Sequence, residues 1–188
     1  MKKHLGIVLS VVLLSSLVIA LVLIPDSAGA ATKKEVDASV DVALERFTKD
    51  VKGAHEFLKA AKGVLVMPRV MQAGFIVGAK YGNGALRVGG KSVDYYNMIA
   101  ASGGLQIGAQ ESNIILCFMD EAALKKFRAS DGWQIGVDGT VALFVVGAGG
   151  SVDTTKLKEP IVGFVFGQAG LMAGATLEGL KFTKTNPD

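Results

Sequence analysis

Cysteine is nearly missing from this chain. Cys117 is the only one in 188 residues, so no disulfide can close within the chain. No zinc site can be built from several Cys and His ligands either. Histidine is almost as scarce: His4 lies in an apolar leader, and His55 lies in a helical stretch beside Lys52, Glu56 and Lys59. His55 reads as a solvated helix residue, and no nucleophile-elbow sequence exists for a Ser-His-Asp arrangement. Cys117, within Ile114-Ile-Leu-Cys-Phe118, reads as a small core side chain. Charge of either sign is also in short excess. The formal net charge is +3, too little for the concentrated basic face that nucleic acid requires. Three partial motifs fail. Gly90-Lys91-Ser92 lacks the upstream glycine of a phosphate loop, where Ala85 stands, and Gly147-Ala-Gly149-Gly150 has Val152 where a dinucleotide loop needs glycine. Asp131, Asp138 and Asp153 fit no calcium-loop spacing and read as turn residues. The expectation is a protein that is not an enzyme and holds no cofactor or metal.

Glycine and apolar residues are what the chain has in quantity: 24 Gly and 50% hydrophobic residues. Residues 1–30 have the layout of a targeting segment. Lys2 and Lys3 precede an apolar run from Leu5 to Ile24, Pro25 breaks it, and Ala28-Gly-Ala30 offers a cleavage site before Ala31. The run is long for a signal sequence and long enough for a spanning helix, so residues 5–24 are alternatively an uncleaved anchor. Either reading exports the body to the periplasm or cell envelope. Residues 31–188 form the expected single domain, divided into a helical arm (33–62) and a β-rich body (63–184).

The arm contains no proline and one glycine, Gly53. Val36, Val40, Ala43, Leu44, Phe47, Val51, Ala54, Leu58 and Ala61 recur at spacings of three and four, one stripe of an amphipathic helix. That stripe can pack on the sheet. Alternatively it can lie on a membrane with Phe47, Val51 and Leu58 in the acyl boundary. Lys49, Lys52, Lys59 and Lys62 make the second half of the arm its more basic part.

In the body, a pattern with glycine at both ends of three residues recurs at Gly74–Gly78, Gly104–Gly108, Gly132–Gly136 and Gly163–Gly167. Each is followed by a break (Tyr81-Gly-Asn-Gly84, Glu111-Ser-Asn113, Asp138-Gly139, Ala169-Gly170) and a second apolar run. Asn-Gly and Asp-Gly between apolar runs signal hairpin turns. The pattern therefore predicts four successive β-hairpins, forming a curved or barrel-like antiparallel sheet with the arm packed on it. Val64–Met67 reads as a strand closed by Pro68, Ser92–Ala101 is strand or short helix, and 151–159 is a polar loop. Residues 120–128 read as a short helix with an acidic first turn and a basic last turn. The fold class is α+β.

Several ordered stretches carry a resemblance. They are Ala61-Lys-Gly-Val-Leu-Val-Met-Pro68; Ala73-Gly-Phe75 with Tyr81-Gly-Asn-Gly84; Asp131-Gly-Trp133 through Gly139 to Val146-Gly-Ala-Gly-Gly-Ser151; and Pro160-Ile-Val-Gly-Phe-Val-Phe-Gly167. Together they resemble the SYLF domain over roughly 36–184. The resemblance implies a non-enzymatic module that binds phospholipid or phosphoinositide-type head groups. Its N-terminal helix and basic residues are the implied site, here Lys49, Lys52, Lys59 and Lys62 with Phe47, Val51 and Leu58. The implied partner is an anionic phospholipid surface. Some relatives bind actin, from which an export signal separates this chain. A structural or scaffold role through protein contacts is the alternative. Lys125, Lys126 and Arg128 are the fallback basic site.

Overall fold

The arm folds as a helix in two pieces. In the computed structural model, which describes residues 31–74, 77–103, 108–147, 149–168 and 177–188, helix α1 spans Lys33–Asp50 and helix α2 spans Ala54–Ala60. Thr32 and Glu35 form a reciprocal capping box that starts α1. The expected continuous helix breaks at Gly53, which takes a left-handed φ of 89°. Beside the break, Lys52 leaves the helix to pair as backbone with residues 150–152: its N–H donates to the Gly150 carbonyl at 3.0 Å, and its carbonyl accepts from Val152 at 3.1 Å.

The body is an eight-stranded sheet curled into a half-barrel. Its strands are β1 (Gly63–Gly74), β2 (Val77–Val88), β3 (Lys91–Gly103), β4 (Gly108–Phe118), β5 (Trp133–Gln134), β6 (Ala142–Val146), β7 (Ile161–Phe166) and β8 (Lys181–Thr185). Helix α3 (Glu121–Ala129) follows β4, and a 3-10 helix at Thr154–Lys158 precedes β7. The spatial order is β5-β8-β3-β2-β1-β4-β7-β6. All pairs are antiparallel except β6 with β7, which is parallel.

This topology replaces the expected four hairpins. Asn83-Gly84 is not a turn: it lies inside β2, opposite Asn97 and Tyr96. Glu111–Asn113 likewise lies inside β4. Of the first two glycine-bounded repeats, the described glycines lie in strands: Gly74 ends β1 and faces Gly78 in β2, and Gly108 opens β4. A tight reversal does occur where the third hairpin was expected, with Ile135 bridging Gly139. The positive φ there belongs to Gly136, at 87°, and not to Asp138 or Gly139. Its flanking strands separate, β5 to β8 and β6 to β7. β7 and β8 do not pair with each other, and the break at 169–170, like residues 1–30, lies outside the described residues. Non-local pairing decided these points, and the turn chemistry at Asn83-Gly84 was overridden by it.

β1 runs through Pro68 instead of stopping there. Proline cannot donate to a ladder and is tolerated at bulges. The β1 register shifts across this point, between Met67 and Val70. Arg69 takes a φ of 50°, and its N–H donates to Asn113 Oδ1 at 3.2 Å.

Both faces of the central strands are buried, which explains their unbroken apolar runs. On one face Val64, Val66, Ile115, Cys117, Phe164 and Phe166 pack with Val36, Val40, Phe47 and Phe57 of the arm. On the other, Leu65, Met67, Leu116, Phe118, Val165 and Phe182 pack with Phe127 of α3 and Trp133. A polar clasp adds to the arm's docking. Asp37 accepts from Ser92 Oγ and from the Tyr95 hydroxyl, and Arg87 pairs with Asp41 at 2.7 Å.

Candidate functional site

The arm divides its side chains by chemistry. Phe47 is fully buried, its ring 4.9 Å from Phe164 and 5.0 Å from Phe166. Val51 is buried too, and Leu58 is half-buried against the same cluster. Phe47 and Val51 face the core and not solvent, and Leu58 does so in part. Lys49, Lys52, Lys59 and Lys62 all remain exposed.

Of the four lysines, Lys62 joins a further group. It lines a groove of about 940 Å³ together with Val88, Asp120, Glu121, Ala122, Leu124, Lys125, Arg128, Ala129 and Lys184. Lys49, Lys52 and Lys59 are not part of its lining. α3 forms one wall. Its N-cap, Asp120, accepts from the Ala123 N–H at 2.9 Å. Phe127 fixes the helix by burying its ring 4.8 Å from both Tyr96 and Phe118 and 5.4 Å from Trp133. Burial of the neighbouring Tyr96 hydroxyl pushes its pKa up, so it stays protonated.

The rest of the lining comes from Lys62, Val88 of β2 and Lys184 of β8, with Asp94 of β3 behind it. Asp94 holds Arg128 at 2.7 Å and Lys184 at 3.3 Å. Lys184 also donates to the Arg128 carbonyl at 3.1 Å. Asp94 therefore offsets part of the charge of these two cations. Among the described residues, Lys62, Lys125 and Glu121 have no ion-pair partner. Lys126 points elsewhere, donating to the Asp138 carbonyl. Of the fallback residues, the groove thus unites Lys125 and Arg128 but not Lys126. Asp94 and Lys184 escaped sequence reasoning because only the pairing of Tyr96 with Lys184 across β3 and β8 brings them here.

Fold and surface together define an α+β domain with an amphipathic helical arm docked on a half-barrel sheet and a basic-rimmed groove at one end. Residues 99–187 match the family model described as Ysc84, Las17-binding protein actin regulator. This model is that of the SYLF domain family, and the match is consistent with the resemblance carried by the stretches from Ala61 to Gly167. No curated protein matches the chain.

Proposed function

We propose that this chain is a non-enzymatic lipid-binding domain, exported to the cell envelope, that docks on anionic phospholipid surfaces. The observation that carries this reading is the separation on the arm: four lysines in solvent, with Phe47 and Val51 withdrawn into the core. That separation favours electrostatic docking without insertion of the stripe. Each Lys close to an anionic surface contributes about 1 kcal/mol, screened over about 10 Å at 0.1 M salt. Four lysines together would contribute about 4 kcal/mol, roughly a thousandfold in affinity at low salt. Co-sedimentation with anionic and neutral vesicles tests the proposal. Binding should fall steeply with salt and disappear when Lys49, Lys52, Lys59 and Lys62 are all changed to Glu in a folded protein. Absence of binding to every composition at low salt would refute it.

A scaffold role is the second reading, and one observation favours it. Met71, Tyr81 and Ile99 are exposed and lie opposite one another on β1, β2 and β3, an apolar row suited to a protein contact. The actin regulation in the family description is a less apt assignment for an exported chain.

A further inference from the structure

The groove beside α3 carries both signs of charge in an ordered arrangement. Glu121 and Lys125 are one helical turn apart on α3, so they are neighbours on the helix surface about 5–6 Å apart. Both line the groove, Lys62 lines it as well, and none of the three has an ion-pair partner among the described residues. Arg128 and Lys184 are already held by Asp94, and Asp120 is committed to capping α3. The groups free of both ion pairs and capping bonds are therefore two ammonium groups and one carboxylate, and Asp120 adds a second negative charge beside Glu121. The remaining lining is apolar: Val88, Ala122, Leu124 and Ala129.

A polyanionic headgroup would leave Glu121 opposed by like charge. A headgroup carrying a phosphate and a primary ammonium two carbons apart meets both signs at once. From this we infer that the groove takes one glycerophospholipid molecule of the ethanolamine type. Its phosphate lies between Lys62 and Lys125, its ammonium donates to Glu121, and the start of its chains lies on Val88 and Leu124. A choline headgroup has no N–H to donate to the carboxylate, and phosphatidic acid has no cation for it. Charge-assisted hydrogen bonds supply the selectivity.

The inference rests on the lipid-binding reading but concerns single molecules in place of a surface. The probes are therefore monomeric: the dihexanoyl forms of phosphatidylethanolamine, phosphatidylcholine and phosphatidic acid below their aggregation concentrations, and glycerophosphoethanolamine without chains. Calorimetry on the whole chain should show the ethanolamine lipid binding about tenfold tighter than the other three. Lys62→Glu with Lys125→Glu should abolish that binding. Glu121→Lys should turn the preference to phosphatidic acid. Lys34→Glu, away from the groove, should leave it unchanged, and circular dichroism verifies that each variant is folded. Equal or tighter binding of any of the other three probes would overturn the inference. So would an unchanged order of preference in Glu121→Lys, or full affinity in the double variant. Vesicle binding without monomer binding defeats this inference alone. Monomer binding without vesicle binding defeats the surface-docking reading alone.

Discussion

Gly84→Ala is the sharpest test of the sheet. A β-carbon placed on Gly84 would lie 2.0 Å from the Val66 carbonyl oxygen, 2.6 Å from Met67 Sδ and 2.9 Å from the Val66 carbonyl carbon. The obstruction is the backbone of the adjacent strand, beside the β1 bulge. No rotamer change relieves it, and β1 and β2 must separate where both faces of the sheet are packed. Overpacking of a core generally costs about 1–3 kcal/mol. With a backbone oxygen as the obstacle, we expect about 3 kcal/mol. For a domain of this size that corresponds to a fall in Tm of about 6–12 °C. Thermal melts followed by circular dichroism measure it. Gly82→Ala is the comparison, because its added β-carbon meets the Val70 side chain at 3.0 Å, which can shift, so the loss should be smaller. A Gly84→Ala protein melting within about 2 °C of the parent would refute the close approach of β1 to β2.

Other expectations follow from the same packing. Phe47→Ala should cost about 3–5 kcal/mol by urea titration, and an unchanged midpoint would mean that the arm is not docked. Gly139→Val should destabilise by collision with the Trp133 ring, whose Cζ2 lies 2.7 Å from the added β-carbon, and not through a positive φ; a parent-like melt would exclude that contact. Asp37→Ala removes the acceptor for Ser92 and Tyr95 and should cost about 1–2 kcal/mol in the same titration. Burial pushes the Cys117 thiol from 9.0 up to about 12, so the folded state disfavours the thiolate. This contribution to stability is complete below the unfolded thiol's pKa and is lost as pH rises towards about 12. Labelling of Cys117 at neutral pH should accordingly keep pace with global unfolding, and rapid labelling of the native protein would contradict its burial.

Much of this protein was legible in its residues. The stripe Val36, Val40, Ala43 and Phe47 is the buried face of α1, because helical period is a local property. Asp120, an acidic first turn and a basic last turn delimit α3 to within a residue, because capping involves only near neighbours. The ordered stretches from Ala61 to Gly167 pointed to the family whose model covers 99–187. Strand partnership was not legible. Asn83-Gly84 has the chemistry of a turn, yet it is strand because the sheet needs a residue without a β-carbon beside the bulge in β1. Lys52 has the pattern of helix, yet its backbone pairs with residues 150–152. The groove followed the same rule: Lys62 between α2 and β1, Asp94 in β3, Lys125 in α3 and Lys184 in β8 are far apart in the chain, and no local spacing connects them. Local interactions, set by φ, ψ and side-chain period, determined which segments were helical and apolar. Only the tertiary structure, by choosing among non-local pairings of similar apolar runs, decided which strands meet and which charges share a surface.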